Sequence, residues 1–220
     1  MPASFHFSDA DRELIASAVE KAEGLTSGEI VPVIVASSSE YPEADWKAIF
    51  IGVGAGIMLY EGYLLFFGLW LSGLWASIIG LPLFVIAGAF LGWGLARFSP
   101  VFRRIIIARS AMDTAVHDRA IKAFVDHEVF ATKERTGIVL LVSLFENRVE
   151  VLGDTGINSK VSSEDWSEVI SDVISGIKQG NPTAGIVEGI NRCALLLKKL
   201  GVEIRSDDTD ELSNMPRFEH

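Results

Sequence analysis

AIFIGVGAGIMLYEGYLLFFGLWLSGLWASIIGLPLFVIAGAFLGWGLA, residues 48–96, runs 49 residues between Lys47 and Arg97 with one formal charge, Glu61. As a helix it would be ~73 Å long, about twice the ~30 Å hydrocarbon core of a bilayer. The stretch therefore reads as a transmembrane hairpin. One span is expected from Trp46 to Phe67, a turn through Gly68, Ser72 and Gly73, and a second span from Leu74 to Ala96. Three crossings would each be too short, and a buried soluble helix pair rarely lacks polar faces so completely. Gly52, Gly54 and Gly56 on one span and Gly88, Gly92 and Gly94 on the other offer small surfaces for close helix approach.

The flanks give an orientation. Lys47 precedes the stretch and Arg97, Arg103, Arg104 and Arg109 follow it, whereas residues 60–75 hold no Lys or Arg. The positive-inside tendency then puts both termini in the cytoplasm and the turn outside. Trp46, Tyr60, Tyr63, Trp70, Trp75 and Trp93 fall near the expected span ends, as interfacial rings do. Glu61 admits two readings, an intramembrane proton or cation site, or a carboxyl near the outer turn that reaches the headgroups or is protonated. The start of the chain has no basic region followed by an apolar one, so insertion is expected to rely on the internal spans.

Outside the hairpin the chain divides into residues 1–45 and 98–202 as two parts of one domain, the hairpin over 46–97, and an acidic tail over 203–220. The net charge is −10, and the clustered arginines beside the hairpin are the one basic patch. Nucleic acid is excluded as a partner on this balance, because phosphate neutralisation requires clustered cations. The expected partners are the lipid bilayer, anionic lipid at the arginines included, and another protein. A single cysteine, Cys193, leaves neither an intramolecular disulfide nor a thiolate metal cluster, and reads as a buried small apolar residue.

Hydrophobic spacing orders the elements. Ser8, Asp9 and Asp11 mark a helix start, and Leu14, Ile15, Ala18, Val19 and Ala22 follow at helical intervals up to Gly24. The β-branched run Glu29–Ala36 is a strand, and Pro32, which has no N–H, predicts an edge or a bulge there. A helix is expected from Ile105 to Val129 with Met112, Val116, Ile121, Phe124 and Val125 as its apolar stripe. Gly137 opens a nearly all-apolar strand through Leu144, and after a turn at Glu146-Asn147 the alternating Arg148–Val151 pairs back antiparallel. Ser162 and Asp165 cap a helix whose stripe is Trp166, Val169, Ile170, Val173, Ile174 and Ile177. After Asn181-Pro182, a last helix runs to about Leu200. The hairpin thus sits inside a strand-to-strand crossover, which implies a parallel pair covered by helices.

Few residues offer chemistry. There is no phosphate loop, Cys-x-x-Cys, His-Glu-x-x-His or nucleophile elbow. His117-Asp118 has the spelling of a hydrolase metal pair without further ligands, and reads as a solvated helix face; Asp126-His127-Glu128 reads as a helix end. The stretch Gly153-Asp154-Thr155-Gly156-Ile157-Asn158 admits two readings. Its glycines permit unusual backbone angles while Asp154 and Asn158 supply hard oxygen ligands, or Asp154 makes an Asx turn into a capped helix.

Thr26-Ser27-Gly28-Glu29-Ile30, Thr136–Ser143 and Arg148–Ile157 with the two closing helices resemble the TPM domain family. The resemblance is narrowest to a bacterial membrane-protein branch in which a two-span hairpin interrupts that domain. It implies an α/β fold, an α/β/α sandwich interrupted by a transmembrane helical hairpin. It also implies a broader family in which a thylakoid-lumen member is linked to photosystem II repair and acid phosphatase activity, with calcium binding described. Familiar members carry an uninterrupted domain outside the cytoplasm, often with a Gly-Tyr-Gly-like spelling where this chain has Gly153-Asp154-Thr155-Gly156; Asp154 alone carries over by position. The expectation is a two-span protein of the bacterial cytoplasmic (inner) membrane. Its domain would be a non-catalytic binding module, in envelope or membrane-protein maintenance. The alternative is a divalent-cation-dependent phosphatase, with a cation such as calcium held by Asp154 and Asn158 with help from Glu150 or Asp165.

Overall fold

A computed structural model describes residues 7–71, 73–162, 164–202 and 212–219, with side chains at 68–77 outside the described set. The chain forms two compact units, residues 40–109 and residues 5–39 with 110–220.

The first unit holds the hairpin. Helix α2 spans Pro42–Leu71 and α3 spans Gly73–Phe98. Both are longer than the charge pattern indicates. Pro42 opens α2, and Glu43 and Asp45 lie in its first turn, where acids suit the positive end of the helix dipole. Gly68 and Gly73 belong to the helices and not to the turn; Ser72 lies outside the described residues. Glycines spaced by four set the contact between the helices. A Cβ at Gly52 would lie 2.1 Å from the Gly88 carbonyl oxygen, and one at Gly92 2.1 Å from that of Ala48. Gly54 and Gly94 face open space, so of the six glycines expected at the contact Gly52, Gly56, Gly88 and Gly92 face the other helix. Tyr60, expected at an interface, is instead buried, its ring 5.8 Å from that of Phe84.

Segments Pro42–Phe67 and Ile78–Phe98 are long and apolar enough to cross a membrane. Only 17% and 11% of their most apolar stretches are buried, unlike a helix at the centre of a soluble core. A short helix α4 (Pro100–Ile106) follows, capped by Ser99, whose Oγ accepts from the Phe102 N–H. Helix α5 begins only at Arg109 and ends at Asp126, so the single helix expected over 105–129 is broken at the extended Ile107. Glu128 in the left-handed region closes it.

The second unit is a sheet between helices. Strands β1 (Glu29–Val35), β2 (Gly137–Ser143), β3 (Arg148–Gly153) and β4 (Arg217–Glu219) lie in the order β3-β2-β1-β4. β1 runs parallel to β2 and β4, and β3 is antiparallel to β2. Alternation sends Ile30, Ile34, Ile138, Leu140 and Val142 toward α1 (Asp9–Glu23), α7 (Ser167–Lys178) and α8 (Pro182–Lys199). Val31, Val33, Val35, Val139 and Leu141 face α5. Each face is covered, giving the α/β/α sandwich. On α5 the buried residues are Met112, Val116, Ala120 and Ala123, while Ile121 and Val125 are 46% and 56% exposed. The expected stripe followed residue size, whereas the sheet takes the narrow side on which alanines let α5 approach.

Pro32 causes neither a bulge nor a gap. Register with β2 is continuous from Glu29 to Val35. The Glu29 N–H bonds the Thr136 carbonyl on the β2 side, so alternation turns residue 32 the other way. On that side β4 pairs only from Val33 onward. β4 itself lies in what the sequence presents as an acidic tail over 203–220, of which 203–211 and 220 are outside the described residues. Phe218 packs 5.0 Å from Phe7 beneath the Arg12 guanidinium, and Glu219 pairs with Arg119 and His127, each at 2.7 Å. A three-residue strand is too short for periodicity to reveal.

Cys193 is buried on α8, and burial pushes its thiol up to about 12. We expect no alkylation by iodoacetamide at pH 8 in the native protein and full alkylation in denaturant, read by mass spectrometry. Rapid native labelling would contradict the packing. Because the unfolded thiol ionises first, stability should fall as pH rises from about 9 toward 12.

Candidate functional site

The sheet carries polar groups at both ends. At the end where β2 starts, Asp154 follows β3 and is only 4% exposed. Its Oδ1 accepts from the Thr155 N–H and its Oδ2 from Arg135 Nε, both at 2.6 Å, and its backbone N–H bonds the Gly137 carbonyl at 2.9 Å. It is the N-cap of α6 (Thr155–Asn158). Arg135, at φ 58°, presents its carbonyl to the Gly156 N–H. Gly156 is there for proximity, since a Cβ would lie 2.4 Å from the Glu134 carbonyl oxygen. Positive φ among the described glycines is confined to Gly180 and Gly201, so the unusual angles expected at Gly153 and Gly156 are absent.

The other expected ligands are engaged elsewhere. The Asn158 amide donates to the Gly153 carbonyl at 2.6 Å. Glu150 is half-buried on β3, 3.1 Å from His117 Nδ1. Asp165 accepts from the Ser162 hydroxyl at 2.7 Å and N–H at 2.9 Å, bonds that hold its carboxyl below the usual range. Among the described residues no three His, Cys, Asp or Glu side chains converge as a metal set, so Asp154, Glu150 and Asp165 are not brought together. The donors present do not fit a divalent ion of the calcium type, which takes 6–8 oxygens. Arg135 already lies on Asp154, the buried carboxylate among the expected ligands, and Asn158 turns its nitrogen to the backbone. The Asx-capped turn is what forms.

The opposite end, at the carboxyl ends of the parallel pair, holds a cluster that hydrophobic spacing passes over. Glu146 is 4% exposed. Its Oε1 accepts from the Ser38 N–H at 3.0 Å and the Ser37 hydroxyl at 3.2 Å, and its Oε2 from the Ser143 hydroxyl. Ser38 Oγ and Ser143 Oγ lie 2.8 Å apart. The Leu144 N–H and Phe145 N–H bond the carbonyls of Val35 and Ala36, fixing the turn. In open α/β sheets ligands bind outside the carboxyl ends of parallel strands, so this end is the more typical place for a site. In the sequence Glu146 reads only as part of the Glu146-Asn147 turn, because its partners Ser37 and Ser38 lie more than 100 positions away.

Residues 102–195 match the family model described as TPM domain. No curated protein matches the chain. Among solved structures the fold is similar to the NMR structure of BA42 protein from the psychrophilic bacterium Bizionia argentinensis, with 21% identity, a TM-score of 0.59 and both chains covered in full. That likeness concerns the fold, and it spans the N-terminal strand and helix that the family match leaves out. Residues 102–195 are thus similar to the TPM domain, in an α/β sandwich whose first two strands are joined through two long apolar helices.

Proposed function

We propose that this protein is a membrane-anchored TPM-domain module that binds a partner protein, in the maintenance of the bacterial envelope or of membrane proteins, without catalysing a reaction. One observation carries the reading: two long apolar helices have few buried residues, 17% and 11% of their most apolar stretches, while Asp154 and Glu146 are committed to the domain's own backbone and side chains. Both termini are assigned to the cytoplasm of a two-span inner-membrane protein. The arginines flanking the hairpin support that orientation.

The test combines topology and activity. Alkaline carbonate should leave the protein in the membrane, and reporters fused after His220 and at Ser72 should report cytoplasm and exterior. Purified protein should not hydrolyse phosphoesters with or without millimolar calcium, magnesium or manganese. Asp154→Ala should lower stability by about 1–3 kcal/mol equally in the presence and absence of cation, because it removes a cap and a partner of Arg135. Cation-dependent turnover abolished by Asp154→Asn would instead establish the divalent phosphatase.

A further inference from the structure

The stretch from Arg97 to Ser110 holds four arginines and no acid. Within it α4 leaves the last turn of α3 after a single capping residue, so its residues stand directly beyond the apolar span. Val101 and Ile105, four apart and hence on one helix face, are 59% and 74% exposed, and Phe98 is 79% exposed. Trp46, at 65%, lies just inside the start of the other helix. Arg103, by contrast, is turned inward. It bonds the Glu40 carbonyl at 2.7 Å and pairs with Asp45 at 3.4 Å, which fixes the rotation of α4 against the start of α2. That rotation leaves Val101 and Ile105 outward, with Arg97 and Arg109 exposed and Arg104 half-buried nearby.

We infer that α4 is an interfacial helix. Val101 and Ile105 enter the boundary between headgroups and acyl chains, and the positive charge that Arg97, Arg104 and Arg109 bring there attracts the phosphates of anionic phospholipid. Exposed aliphatic residues beside cations are the composition that an acidic membrane surface attracts, and each cation near that surface adds to the preference. The committed occupant is the anionic lipid headgroup, because charge complementarity and direct continuity with the span both favour it. The inference rests on the proposed membrane anchoring and goes beyond it by naming a lipid class.

The experiment uses the full chain in phosphatidylcholine vesicles carrying trace spin-labelled phosphatidylglycerol or phosphatidylcholine. Motionally restricted label should favour phosphatidylglycerol by roughly fivefold at low salt and fall toward parity in 0.5 M salt, as a screened interaction must. Changing Arg97, Arg104 and Arg109 together to Gln should abolish the preference, and changing them to Lys should keep most of it. Inorganic phosphate at 20 mM, with ionic strength matched, should not compete. Equal restriction of both labels, retention of preference in the Gln variant, or competition by phosphate would each overturn the lipid assignment while leaving anchoring intact. Release of the protein by carbonate would overturn the anchoring itself.

Discussion

Glu146→Ala lowers the stability of the α/β unit by about 3–4 kcal/mol, measured by denaturant unfolding of the full chain in mild detergent. The carboxylate accepts from Ser143, which is fully buried, and from the Ser38 N–H and Ser37 hydroxyl. Hydrogen bonds to a charged group contribute about 1.5–3 kcal/mol each, and a buried donor left without its acceptor costs about 1–3 kcal/mol. Ser143 retains Ser38 Oγ as a neighbour, which is why the expected loss is less than the sum. Glu146→Gln keeps one acceptor oxygen and should lose about half as much. A change below 1 kcal/mol for the alanine variant would mean that water replaces the carboxylate and that the cluster is open.

The second large effect belongs to the hairpin. Gly52→Leu should destabilise the helix pair by about 3 kcal/mol or more, because overpacking by side-chain atoms alone typically costs 1–3 kcal/mol and here the obstacle is backbone. The first added carbon would already stand 2.1 Å from the Gly88 carbonyl oxygen. Gly54→Leu is the matched control. Nothing lies within 4 Å of its Cβ position, and a change within about 0.5 kcal/mol is expected. Mixed-micelle unfolding of both variants reads the difference; equal effects would show that the seam does not run along Gly52, Gly56, Gly88 and Gly92.

Hydrophobic spacing revealed the parts of this fold in which one physical pattern repeats. The two long apolar helices, the nearly all-apolar strand from Gly137 and the residues Val169, Val173 and Ile177 of the expected stripe form as expected. So does the parallel pairing of β1 with β2, which followed from the length of the connection between them. What spacing missed depends on single partners far away in sequence. Phe218 becomes a strand residue only because β1 offers an edge, and Ala120 rather than Ile121 faces the sheet because of how closely α5 approaches. The site reading divided in the same way. Asp154 as a cap could be read from neighbouring residues, whereas its ion pair with Arg135 spans 19 positions and Glu146 reaches Ser38 across 108.

Placing the hairpin between two paired strands has a further effect, on timing during synthesis. Glu29 pairs with Gly137, so β1 waits for 108 residues before its partner exists. At about 5–20 residues per second that interval is roughly 5–20 s. Throughout it the sheet cannot close, while both apolar helices are finished well before β2 emerges. On the proposed anchoring, both apolar helices would be ready for insertion while the α/β unit is still incomplete. The order of the segments along the chain itself supplies that delay.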